Sequence, residues 1–133
     1  MKEPWFRLGL LAAATLNVLG ATGALIDPAG HFATLYTSAL SMDDPLQAFF
    51  YRATWINVMA WGVGYLLAAQ YPGARLPILA AGGAGKTVYF LACLALVLSG
   101  AGRPLLLAFG ILDLLFAALF AWILWRGRAP VSP

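Results

Sequence analysis

Four long stretches of the chain are almost wholly apolar, at residues 5–25, 46–71, 77–98 and 104–125. Each holds at least the ~20 residues that an α-helix needs to cross ~30 Å of hydrocarbon. The apolar residues follow one another without alternating, which excludes the strands of a membrane β-barrel. Pro77 and Pro104 stand at the starts of the third and fourth stretches, where the missing N–H costs a helix nothing. The connections at 72–76 and 99–103 are tight, and no internal repeat is visible. The pattern therefore predicts an all-α protein: one integral membrane domain, residues 1–133, built as an antiparallel four-helix bundle. A cleavable signal segment is the competing reading of the first stretch. Lys2 and Arg7 would be its charged region and Ala21, Gly23 and Ala24 its cleavage site, but Asn17 interrupts the apolar part.

Residues 26–44 form the longest connection. Asp27-Pro28 reads as a helix cap followed by proline at the first helical position. Phe32, Leu35, Tyr36, Ala39 and Leu40 then recur at helical spacing, while His31, Thr34, Ser38 and Ser41 fall mostly elsewhere on the wheel. A helix over 28–40 is too short to span. It is expected to be amphipathic and to lie on the membrane surface or over the mouth of the bundle. Asp44-Pro45 repeats the cap signal, with Asp43 beside it. Within 46–71, Tyr51, Trp55, Trp61 and Tyr71 include rings at interfacial depth. Gly62, Gly64 and Ala68 form a small-residue stripe that lets helices approach closely. The tail, 126–133, reads as disordered.

Composition sharpens the membrane assignment. The chain is 62% hydrophobic and 10% charged, against roughly 45–50% and about 25% for a soluble domain. The net charge of +3 is spread over Lys2, Arg7, Arg52, Arg75, Lys86, Arg103, Arg126 and Arg128. Nucleic-acid binding needs such charges clustered on one face, so no nucleic-acid partner is expected. Lys2, Arg7, Arg75, Arg126 and Arg128 fall on one side of a four-span topology. Arg52 and Arg103 fall on the other, beside Asp27, Asp43 and Asp44. The positive-inside rule then puts both termini in the cytoplasm. Cys93, the only cysteine, lies mid-span and reads as a small core residue.

Residues 80–87, AAGGAGKT, fit a relaxed phosphate-loop pattern. That chemistry needs a glycine loop between a buried strand and a helix. Here both flanks are apolar and no strand precedes, so small residues packed against a neighbouring helix are expected instead. Lys86 and Asp113 are charges where hydrocarbon should be. At ~1.5 Å per residue each lies roughly 14 Å from its nearer face, and Asn17 and Asn57 come out at similar depth. Four polar side chains, one from each span, are thus expected to converge near the midplane, with Lys86 and Asp113 as an ion pair or a ligand, proton or ion site. Tyr65 and Tyr89 are candidates to line a pocket there. His31 is the only histidine, which counts against a di-histidine haem held by one chain and leaves a single-ligand haem, or a metal shared across a dimer, as the alternatives open to it. No catalytic residue, metal site or particular cofactor is assigned.

Gly85-Lys86-Thr87 in the third span, followed by Asp113-Leu114-Leu115-Phe116 and Phe120 in the fourth, resembles small bacterial four-span proteins of the DoxX-like kind. The resemblance covers mainly residues 55–124. It implies a bacterial cytoplasmic membrane and hints at redox or oxidase complexes. The function expected is a binding or accessory subunit in the lipid bilayer, working with a membrane-protein partner or a second copy. The alternatives are a small carrier using Lys86 and Asp113, or a membrane enzyme acting on a quinone- or isoprenoid-like substrate.

Overall fold

A computed structural model describes residues 3–127, all-helical apart from short connections. The elements are α1 (Glu3–Ile26), α2 (Pro28–Leu35), α3 (Pro45–Gln70), a 3₁₀ turn (Pro72–Ala74), α4 (Arg75–Leu98) and α5 (Pro104–Gly127). Arg126 and Gly127, expected in a disordered tail, complete the last turn of α5. The remainder of that tail and Lys2 lie outside the described residues.

Three segments are long and apolar enough to cross a membrane: Pro4–Ile26, Pro72–Leu98 and Pro104–Gly127. The expectation of four needs correcting on that criterion. α3 is 26 residues long, but Gln47, Tyr51, Arg52, Asn57, Trp61 and Gln70 dilute its apolar content.

The helix starts follow their caps. The Asp27 carboxylate accepts from the Gly30 N–H at 3.0 Å. Asp44 accepts from the N–H groups of Leu46 and Gln47, at 2.9 and 3.2 Å. Asp44 alone caps α3; Asp43 is exposed beside it. α2 ends at Leu35, five residues short of the expected 40. The reason is competition for its backbone groups. The Thr37 N–H donates to the Ala101 carbonyl at 3.0 Å and the Arg103 N–H donates to the Leu35 carbonyl at 2.8 Å, with Tyr36 and Gly102 forming an antiparallel bridge. The first connection is thereby clasped to the last. Gly100 turns that last connection at φ +80°, a conformation side chains disfavour.

α1 packs along α3 and α4 along α5, with fewer contacts between the two pairs. One core cluster gathers Phe6 and Leu10 from the start of α1, Ala68 and Ala69 from the end of α3, Leu79 from the start of α4, and Phe120 and Ile123 from the end of α5. Successive long helices therefore run in opposite directions. A second cluster, Leu35, Cys93 and Leu106 with Tyr36, Trp55, Tyr89 and Val97 against them, fills the opposite end. α2 covers that end: Leu35 is 1% exposed and Phe32 stacks on Tyr36. The small-residue stripe acts as expected at Gly62, where a Cβ would stand 3.2 Å from the Ala14 carbonyl oxygen of α1.

Candidate functional site: a buried polar layer

The side chains that α4 and α5 bury recur every three or four residues. On α4 they are Leu79, Gly82, Lys86 and Cys93; on α5 they are Leu106, Gly110, Ala117, Phe120 and Ile123. Lys86 thus stands on the packed face of α4. Asp113 falls on the packed face of α5, between Gly110 and Ala117. Lys86 is 6% exposed and donates to Asp113 Oδ1 in an ion pair. It also donates to Asn17 Oδ1 of α1 at 3.3 Å. Asn17 in turn donates from Nδ2 to the Val58 carbonyl of α3 at 3.1 Å. One chain of polar contacts, Val58–Asn17–Lys86–Asp113, links all four long helices at the level between the two core clusters.

The aromatic surroundings match the ammonium. Lys86 Nζ lies 5.5 Å from the Tyr65 ring centroid and 5.7 Å from that of Phe116, where ring faces attract a cation. Tyr65 packs across Gly82, where an added Cβ would stand 2.6 Å from its hydroxyl. The glycine therefore lets the tyrosine reach the layer.

Of the residues expected to converge, Lys86, Asp113 and Asn17 do. Asn57 does not: it is exposed and donates to the Ala53 carbonyl one turn back in its own helix, at 3.2 Å. Depth along a helix does not fix rotation about it, and Asn57 is turned ~100° from Val58, the α3 residue that meets Asn17. Tyr89 lies about one turn beyond Lys86 and packs against the second cluster, bounding the layer rather than bonding within it. The Val58 carbonyl leaves no trace in side-chain chemistry. Phe116 could have been found, three residues past Asp113 on the same helix face.

Comparison with protein-family models, with curated proteins and with solved structures finds no match. The layer's chemistry therefore has to be read from its own residues.

The phosphate-loop pattern is not a loop. α4 is continuous through residues 80–87, its backbone N–H groups are committed to the helix, and Thr87 Oγ1 donates to the Gly83 carbonyl at 2.9 Å. No group of three or more metal-ligating side chains occurs among the described residues. His31, expected off the docking face of α2, instead packs inward. Its Nδ1 lies 2.6 Å from the Tyr51 hydroxyl in a hydrogen bond, and its ring meets Trp55 edge-on at 4.7 Å. Burial holds its pKa below the ordinary value, opposed by the Asp27 charge. Burial also pushes the Tyr36 phenol up, with a lesser contribution from Cys93.

Proposed function

We propose that this chain is a four-span protein of a bacterial cytoplasmic membrane, a binding or accessory subunit whose polar layer engages a ligand or a partner. The observation that carries the reading is the Lys86–Asp113 pair, a full charge pair on packed helix faces in the middle of apolar helices. Charges at that depth are expensive and usually functional. α3 is taken as the fourth span because it lies along α1, shares the first core cluster with the three more apolar segments and packs Trp55 against the second. Arg7, Arg75 and Arg126 fall at one end of the helices, while Asp27, Asp43 and Asp44 fall at the other. That distribution supports cytoplasmic termini. The DoxX-like resemblance supports the same architecture. A carrier is the second reading, favoured by one observation: the Asp113 side chain stays 25% exposed although it lies on a packed face, so the layer is not sealed.

Native mass spectrometry of the protein in lipid nanodiscs tests the proposal. A bound small molecule or partner polypeptide is expected on the wild type and absent from the Lys86→Met/Asp113→Asn double variant. A bare chain in both cases would overturn the reading.

A further inference from the structure

The first turns of α3 carry a cation on an apolar, uncovered face. Leu46, Phe49, Phe50 and Ile56 are each more than half exposed. Arg52 shares the face of Phe49 and Ile56, three residues after one and four before the other. It is exposed and makes no hydrogen bond, ion pair or ring contact among the described residues. A groove of ≈ 460 Å³ opens on that face, lined by Met42, Pro45, Phe49, Arg52, Ala53 and Ile56 together with Ala48.

Depth decides what such a cation meets. α3 has 26 residues, roughly 39 Å of helix against ~30 Å of hydrocarbon. Centred, it overhangs by roughly 4–5 Å at each end. Arg52 is seven residues past Pro45, so its Cα falls roughly 6 Å inside the hydrocarbon edge. A bare guanidinium is costly there, and its stem lets the head rise to the headgroup boundary. Met42, in the connection before α3, marks the headgroup end of the groove, and Ile56 marks the hydrocarbon end.

Building on the reading of α3 as a span, we propose that this groove holds one phospholipid of the leaflet on the α2 side, its phosphodiester on Arg52 and an acyl chain along Phe49, Ala53 and Ile56. A guanidinium offers two parallel N–H donors to two phosphate oxygens. The single negative charge of a phosphodiester balances the single charge of Arg52. Free phosphate or a phosphomonoester carries about 1.5–2 negative charges at pH 7. It would have to approach Asp43 and Asp44, which stand between the groove residues Met42 and Pro45. Asp44 is engaged by the Leu46 and Gln47 N–H groups, whereas Asp43 is exposed. Charge and apolar lining together select a lipid over a soluble anion.

The experiment is native mass spectrometry of the full chain in a non-ionic detergent, titrated with dioleoylphosphatidylglycerol. The wild type is expected to retain a single lipid. Arg52→Gln should weaken that binding about tenfold, the usual loss for a hydrogen bond to a charged group. Arg52→Lys should fall between, since an ammonium lacks the paired donors. Ala53→Leu keeps the charge but fills the groove, and it should weaken binding too. Arg52 is exposed, so thermal unfolding of Arg52→Gln should match the wild type and certify its fold. Arg7 is an exposed cation near the start of α1, at the other end of the helices, and Arg7→Gln should change nothing. Equal losses at Arg7 and Arg52 would reduce the effect to general charge attraction and overturn the site. Displacement of the lipid by inorganic phosphate would make it a free-anion site, and equal competition by dioleoylglycerol would remove the role of Arg52. A co-purifying polypeptide lost on Arg52→Gln would make the face a protein interface instead. Lipid binding that follows Lys86 and Asp113 rather than Arg52 would overturn this proposal and leave the polar-layer reading standing. Impermeant labelling of Thr34→Cys and Gly73→Cys counts the spans separately. With α3 spanning and no lipid retained, this proposal falls alone; with α3 outside the membrane, both fall.

Discussion

Lys86 on α4 and Asp113 on α5 meet at the level where the apolar core is interrupted, with the phobic clusters of the two ends on either side. Moving either charge out of water alone is costly, and their mutual attraction offsets that only when the remaining donors and acceptors are also satisfied. Asn17 takes a second Lys86 donor and passes the contact to the Val58 carbonyl. The ring faces of Tyr65 and Phe116 add to the ammonium's stabilisation. No buried side-chain nitrogen or oxygen is left unpaired among the described residues.

Asn17 and Asn57 should behave oppositely although they come from similar depth. Asn17→Ala removes an acceptor from the buried Lys86 ammonium and takes from the Val58 carbonyl a second hydrogen bond, additional to the one within its own helix. It should destabilise by about 1.5–3 kcal/mol, the usual worth of a hydrogen bond to a charged group. Asn57→Ala removes only a bond to its own helix and should change stability by less than about 0.5 kcal/mol. Thermal unfolding in detergent distinguishes them. Equal losses would mean that Asn57 also joins the layer.

Glycines of the GGAG stretch should divide by what faces them. Gly82→Ala drives a Cβ to 2.6 Å from the Tyr65 hydroxyl and should cost about 1–3 kcal/mol through overpacking. Gly85 has nothing within 4 Å of its Cβ position, so Gly85→Ala should be neutral or stabilising, since alanine is the better helix former. The same unfolding measurement decides. A loss of similar size at both positions would contradict close packing of Tyr65 on Gly82 as the origin of the cost.

The topology is open to labelling. Thr34 is exposed on α2, and Gly73 stands in the 3₁₀ turn with open space around it. With both termini cytoplasmic, Thr34→Cys should react with an impermeant thiol reagent added to whole cells and Gly73→Cys should not. The reverse would invert the protein, and reaction at both would change the number of spans.

Acid should loosen the cover at the far end. Burial holds His31 below its ordinary pKa of 6.5, so the folded state disfavours the imidazolium. Its contribution to stability is complete above the ordinary value and is lost as pH falls through 6.5 toward the lower folded value. Hydrogen exchange over residues 28–35, corrected for the intrinsic rate, should therefore accelerate between about pH 7.5 and about pH 5. His31→Phe should abolish that acceleration. An unchanged corrected rate in the wild type would mean that docking of α2 is indifferent to His31.

Helix positions, caps and the pairing of Lys86 with Asp113 were legible because each rests on short-range signals: apolar run length, Asp-Pro caps, and charge at a countable depth. α2 was overextended because the Leu35 carbonyl and the Thr37 N–H bond a connection more than sixty residues away, which no local periodicity reports. Asn57 was misplaced because depth was counted without rotation. Tracing the stripe of buried positions along α3 would have put Val58, not Asn57, on the inner face. His31 was assigned to the wet side by the same wheel that places Phe32 and Leu35 inside, yet on an eight-residue helix its ring reaches Tyr51 and Trp55.

The most direct test is a double-mutant cycle on Lys86 and Asp113, read as thermal unfolding in nanodiscs. Lys86→Met and Asp113→Asn should each destabilise by about 3–5 kcal/mol, because each leaves the other charge buried and unpaired. The double variant should recover most of that loss, a coupling well outside the few tenths of a kcal/mol seen between distant sites. Losses that simply add in the double variant would contradict a buried ion pair at the centre of this protein.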